Sequence, residues 1–463
     1  VVKFGTTAAT ITADSATSLT ATAPAEAAGT VDVTVTTAGG TSATSAADQY
    51  TFVGSSGAPY SPLAPVRICD TRPGNASGLS GAATQCNGTN NVGSTLVGGV
   101  TKKINVAGSF GVPSGATAVV LNVTVVGPVG AGFVSVFPAG AALPTASNVN
   151  YVAGEVVPNL VEVGTGTSGQ VSFYSSQAAD IVVDVEGYSS PTDSLGAGAG
   201  LYNTLGSPAR LCDTRAGNPS GLTAPDNQCN GDTLANGGTI PVQVAGDNGI
   251  PSNATAAVLN LTVVNPVGAG FLTVYPQGSS QPTASNVNYG PGQVTANRVI
   301  VPLSATGQIS VYSSAAADVV VDVSGYYSAA GGSGTQFSAE AAPVRICDTR
   351  SGNPSGLIGP NVQCGSKTIG PSGILKINVA NLAGVPPTAK AVVVNLTGVA
   401  PTAPTFLTVF PGPALPTSSD LNPAVGEVRA NLVVATLNTD GSISVFNLAG
   451  NTNTVVDVLG WYS

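Results

Sequence analysis

An all-β chain, built as a tandem series of β-sandwich domains of Ig-like or jelly-roll-like type, is predicted by three observations. Thr, Val, Ser and Ala dominate and only 8% of residues are charged, and no long segment has helical periodicity. Thr and Val branch at Cβ and favour strands. The 59 Gly and 33 Pro of the 463 residues fall between short β-prone runs, where turns are needed. Most informative, the run Arg-(Ile/Leu)-Cys-Asp-Thr-Arg occurs three times, at 67–72, 210–215 and 345–350, with a second Cys at one fixed distance after each.

Those copies define the organisation. Residues 57–190, 199–328 and 337–463 are expected to be three homologous modules, with Ser189–Gly200 and Ala329–Gly334 as Gly/Ala/Ser-rich linkers. Each module opens on the RxCDTR run and a Cys-closed loop. A strand follows (Lys103–Val106, Ile240–Val244, Leu375–Val379), then an apolar strand carrying an Asn (Ala118–Val125, Ala256–Val264, Ala391–Val399). GFVSVFP, GFLTVYP or TFLTVFP comes next, then a strand with Asn159, Asn297 or Asn431, then QVSFYSS, QISVYSS or SISVFNL. The module closes on VVDVEGY, VVDVSGY or VVDVLGW. Seven or eight short strands in roughly 130 residues is the pattern of a sandwich or jelly roll.

Residues 1–56 differ. Val1–Phe4, Ser18–Ala23, Thr30–Thr37 and Gln49–Val53 are β-prone, and the wording VKFGTTAAT, TSLTATAPA and GTVDVTVTTAGGTSATSAADQYTFV resembles TIG (IPT) domains. The resemblance implies an Ig-like sandwich and covers only its later strands, so a partial domain is expected, with an edge open to a donated strand. The chain has no Met, as expected of a processed product or a segment of something longer. The modules resemble the RxxDTR-type repeats of secreted and surface-exposed actinobacterial proteins, which implies a location rather than an activity.

Six Cys at a repeated spacing predict three disulfides, Cys69–Cys86, Cys212–Cys229 and Cys347–Cys364, and an oxidising, extracellular or cell-surface location. Each would stabilise by about 3 kcal/mol in the chain-entropy model. Two Cys per module and no His leave too few ligands for zinc.

Of eight Arg, six lie in the RxCDTR runs. In the closing strand Ile181, Val183 and Val185 are expected to face the core, with Val182, Asp184 and Tyr188 on the outer, half-solvated face; Asp457 and Trp461 follow suit in the third module. A half-solvated Asp between apolar neighbours needs a cation. Pairs Arg67–Asp184, Arg210–Asp322 and Arg345–Asp457 are therefore expected. Local pairs Asp70/Arg72, Asp213/Arg215 and Asp348/Arg350 follow from residues two apart on one strand. This cluster reads as a structural knot, or else as a site for an anion or a glycan carboxylate. Asn122, Asn260 and Asn395 lie in strand-located sequons and are expected to hydrogen-bond inside the sandwich. Asn75, Asn87 and Asn253, in loops, are the candidate glycan acceptors.

The net charge of −9 and the lack of a basic cluster argue against nucleic acid or an anionic membrane as partner. The apolar stretch Ala116–Phe137 carries Asn122, Thr124, Gly and Pro, and so reads as two strands and a turn rather than a membrane span. Without His a Ser-His-Asp triad has no base, and no metal or cofactor is called for. The expected function is that of a non-enzymatic structural protein: stacked sandwiches forming a stiff rod, self-associating into a surface fibre or filament by strand donation. The alternative is a non-catalytic glycan- or cell-wall-binding adhesin array.

Overall fold

The computed structural model describes residues 1–15, 17–22, 29–45, 48–52, 57–191, 193, 200–328 and 334–463. Residues 329–333 and most of 190–199, expected as linkers, lie outside the described residues. The chain divides into two units, Val1–Ser56 and Gly57–Ser463.

The first unit contains β1 (Val2–Phe4), β2 (Thr7–Ala8), β3 (Thr10–Asp14), β4 (Leu19–Thr22), β5 (Gly29–Thr37), β6 (Gly40–Thr41) and β7 (Gln49–Phe52). β1 pairs antiparallel with β2 and β5, β5 also pairs with β6 and β7, and β3–β4 is a separate hairpin. Of its described side chains only Val2 and Phe4 are buried, and Phe4 meets the exposed Tyr50 edge-on at 4.9 Å.

The second unit begins with eight strands: β8 (Tyr60–Asp70), β9 (Thr101–Asn105), β10 (Ala118–Val126), β11 (Gly132–Pro138), β12 (Val149–Tyr151), β13 (Val156–Gly164), β14 (Gln170–Ser175) and β15 (Asp180–Ser189). They form two antiparallel sheets, β13-β10-β15-β8 and β12-β11-β14-β9. This is jelly-roll order: successive strands alternate between the two sheets except for the β11–β12 pair, which lies within one sheet.

Module 2 repeats it with β16 (Leu201–Asp213), β17 (Gly238–Gln243), β18 (Ala254–Val264), β19 (Gly270–Pro276), β20 (Val287–Tyr289), β21 (Thr295–Pro302), β22 (Gln308–Ser313) and β23 (Asp318–Ser328). Module 3 has β24 (Phe337–Asp348), β25 (Gly373–Asn378), β26 (Ala391–Val399), β27 (Leu407–Phe410), β28 (Val428–Thr436), β29 (Ser442–Asn447) and β30 (Asn453–Tyr462). Its fifth strand shrinks to the Leu407–Leu421 bridge.

The modules do not line up as a rod, and this corrects the sequence expectation. They close into a ring: β8 of module 1 meets β21 of module 2, β16 of module 2 meets β28 of module 3, and β24 of module 3 meets β13 of module 1. The backbone starts of the three modules also bridge pairwise, Tyr60 with Gly200, Tyr202 with Thr335, and Ala58 with Phe337. The reason lies in the sheet that carries the apolar Asn-bearing strand. Its inner face packs in the sandwich, and its outer face is apolar as well, so it must be covered. On that outer face Val120, Val258 and Val393 join Leu160 and Leu432 in one core shared by the modules. Tyr60, Tyr202, Tyr327, Phe337 and Tyr462 close it with rings 4.3–6.4 Å apart.

Candidate functional site

Covering the outer face changes the environment of every repeated polar side chain. Asp184, Asp322 and Asp457 are 0–1% exposed instead of half-solvated. Each receives a two-pronged guanidinium: Nε and Nη2 of Arg67 reach the two Asp184 oxygens at 2.8 and 3.1 Å, with Arg210–Asp322 and Arg345–Asp457 matching. Burial pushes these carboxyls above their ordinary range, and the guanidinium draws them back only in part.

Asp70, Asp213 and Asp348 behave oppositely. Burial again disfavours the charge, but hydrogen bonds from the neighbouring Arg and a Ser outweigh it and hold these carboxyls below the ordinary 3.8. Arg72 Nε and Nη2 donate to Asp70 at 2.9 and 2.7 Å, and Arg215–Asp213 and Arg350–Asp348 repeat this. Arg72 stands just past the end of β8, not within it. Ser77, Ser220 and Ser355 donate to the same Asp and accept from the first Arg, tying both pairs together. The SGL that follows each RxCDTR run was the signal for this residue.

The disulfides Cys69–Cys86, Cys212–Cys229 and Cys347–Cys364 sit beside these knots, with Cα separations of 5.2, 5.3 and 5.2 Å. Gln85, Gln228 and Gln363, each just before the second Cys, then clamp the loop to two strands.

The strand Asn residues are not inside the sandwiches but between modules. Asn297 donates to Asn122 Oδ1 at 3.0 Å and accepts from the Leu160 amide at 3.1 Å; Asn122 donates to Ser285 O at 2.5 Å. Asn431 and Asn260, and Asn159 and Asn395, repeat the clamp at the next two junctions. Of the loop sequons, Asn75 is spent on its own turn with Leu79, and Asn87 is 1% exposed and donates to Asn91. Asn253 is exposed.

Two of the junctions also hold a cleft. Between modules 2 and 3 its walls are Arg210, Arg215, Thr262, Phe406, Ser419 and Asn422, with Val264, Val294, Val320 and Thr417, around about 280 Å³. Between modules 3 and 1 the walls are Arg345, Arg350, Thr397, Phe133, Ser147 and Asn150, with Val399, Val428, Val455 and Thr145, around about 210 Å³. These are the same positions of the repeat. At the remaining junction Arg67 reaches across to Thr283 O at 3.3 Å, and Thr124, Phe271, Ser285 and Asn288 occupy the matching places. The PTASNVN segment supplying the far wall recurs as PTASNVN and PTSSDLN. That repetition was the available signal for these walls.

Among the described residues, no cluster of three or more His, Cys, Asp or Glu could hold a metal ion, and no helix is long and apolar enough to cross a membrane.

No curated protein matches the chain. Solved structures give distant likenesses. The structure of Sulfolobus turreted icosahedral virus is 9% identical over 79% of this chain and 86% of that one, with a TM-score of 0.16. A triple jelly roll from an archaeal virus is 9% identical over 79% and 84%, at 0.15. The CBM22-1–CBM22-2 tandem of Paenibacillus barcinonensis Xyn10C is 9% identical over 50% and 93%, at 0.13. The match that names a family is local: residues 1–52 match the model of the IPT/TIG domain, which has an Ig-like β fold.

Proposed function

We propose that the chain is a secreted, non-catalytic structural protein, the subunit of a cell-surface fibre or filament. The observation that carries this reading is how the repeated charges are used. The Arg and Asp of all three RxCDTR runs and of the closing strands are engaged in ion pairs within the fold. Three disulfides favour an oxidising exterior. The stiff element in this reading is a three-module head rather than a rod.

The joint between subunits is assigned to the IPT/TIG unit. Among the described side chains of this unit only Val2 and Phe4 are buried, while Ile11 and Tyr50 are exposed and could be covered by an added strand. Donation of that strand by a neighbour is head-to-tail, and such addition does not close on itself. Electron microscopy of the native protein at neutral pH tests this. Regular fibres that disperse into single heads on deletion of residues 1–53 are expected. Dispersed particles from the full chain, or fibres that survive the deletion, would sink the reading.

A further inference from the structure

We propose that the two junction clefts, and the matching position at the junction of modules 1 and 2, are equivalent binding sites for a neutral pyranose residue of a glycan. This does not rest on the fibre reading. The first observation is an unused group. Thr124, Thr262 and Thr397 are 3–4% exposed, and in all three modules the hydroxyl has no hydrogen-bond partner. Thr262 and Thr397 line the two clefts whose volumes are given above. A buried hydroxyl without a partner is unfavourable, because it has given up water and gained nothing in exchange. The fold leaves this buried hydroxyl unpaired three times at one position, and at two of them the residue lines a cleft.

The second observation is the surrounding chemistry. Arg72, Arg215 and Arg350 are about one-third exposed, and each spends Nε and Nη2 on its Asp. Nη1 is left to donate. Across the cleft stand the amides of Asn150, Asn288 and Asn422, each beside a Ser hydroxyl at 3.1–3.2 Å. One wall is apolar, with half-buried Phe133, Phe271 or Phe406.

Donors, a two-way hydroxyl and an aromatic wall suit a ring with hydroxyls on its edge and C–H groups on its face. Charge selects against anions. Every guanidinium here already has its carboxylate, so a phosphate or uronate would meet Asp70 and Asp184, or their equivalents, with no spare cation. Three like sites on one rigid head give avidity to weak single contacts.

The test uses the full chain and a panel of methyl pyranosides (gluco, galacto, manno and N-acetylgluco), with glucuronate and inorganic phosphate as the charged arms. Saturation-transfer NMR finds the binder, and calorimetry counts it. At least one neutral pyranoside is expected to bind, with three sites per chain. Thr145, Thr283 and Thr417 are exposed on the cleft rims, so Trp there fills the space without removing a buried group. Each single Thr→Trp variant should lose one third of the sites, and the triple variant should bind at least tenfold more weakly with its melting temperature unchanged. As a second handle, Asn288→Ala should weaken only the site between modules 1 and 2. The proposal is overturned if no neutral pyranoside binds, if binding survives the triple variant, or if only glucuronate or phosphate binds. It is equally overturned if a crystal soaked in the panel shows ordered water alone under the Thr hydroxyls.

Discussion

Glu162 has no counterpart in the other modules, where Ile300 and Val434 hold its place in register. It is fully buried in the shared core and accepts from Tyr462 Oη at 3.0 Å. Burial pushes its carboxyl up to about 8. Glu186, buried at the junction of modules 1 and 2, is likewise raised to about 8, helped by the charge of Asp184. Both therefore stay protonated at neutral pH, where the unfolded chain would have released the protons at about 4.5. The folded state binds the extra protons, so each group contributes stability that is fully present below 4.5. It is lost as pH rises to about 8, at a slope of roughly 1.4 kcal/mol per unit. Asp70, Asp213 and Asp348, held low, act in the other direction: their contribution is present above 3.8 and fades as pH falls through their depressed values. Stability should then peak in mildly acid solution, about pH 4–5. Urea denaturation at intervals between pH 3 and 9 checks this. Glu162→Gln should flatten the fall between pH 5 and 8; an unchanged slope would mean that Glu162 is ionised in the folded protein.

At the scale of the element, β13, β21 and β28 each carry one Asn to a junction, and the three clamps are related by the ring. Asn297→Ala would remove two donated bonds, to Asn122 Oδ1 and Asn286 O, and would leave the buried Leu160 amide unpaired. A loss of about 3 kcal/mol is expected, because an orphaned buried donor costs more than a hydrogen bond gains. Denaturation of this variant beside Asn253→Ala, an exposed position, measures it. If the two lose equal stability, the clamp contributes nothing. The same strands mark what was legible in sequence. Period-two runs and regular turns declare a sandwich, and the repeated RxCDTR run and Cys spacing bring Arg67, Asp184, Asp70, Arg72 and the Cys pairs to notice. What a single strand cannot declare is its neighbour. Asp184 and Asn122 share a face that is outer within one sandwich, and only the ring makes it interior. Half-solvation of the Asp and an intramodule role for the Asn were the natural expectations for an isolated sheet. The Thr of the sequons was hidden for the same reason, since its cleft exists only where two modules meet.

For the whole molecule the question is what keeps three similar modules in one order. The Asn clamps are alike at each junction, so they cannot distinguish modules; the side chains beside them differ. Between modules 1 and 2, Asn286 donates to Glu186 at 2.7 Å. Between modules 2 and 3, Arg298 stands where module 1 has Leu160 and module 3 has Leu432. It is 1% exposed and bonds Asp420 of module 3 at 2.5 Å, Leu432 O at 3.2 Å and Ser324 at 2.5 Å. Between modules 3 and 1 the matching positions are Leu432, Leu459 and Asn148. Each junction thus has its own chemistry on a common frame, and a module placed out of order would bury Arg298 against Asn or Asp420 against Leu. A buried charge that loses its partner costs about 3–5 kcal/mol, whereas replacing both partners costs little. Arg298→Leu alone should therefore destabilise the head by that amount, because it strands Asp420. Arg298→Leu with Asp420→Asn copies the Leu432/Asn148 junction and should regain most of the loss, with the Val409 amide still bonded to the new side chain as it now is to Asp420. A double-mutant cycle by urea denaturation reads the coupling. A double variant no more stable than Arg298→Leu would show that the pair does not specify the junction, and module order would then rest on the other contacts, such as Asn286 with Glu186, and on the connecting chain.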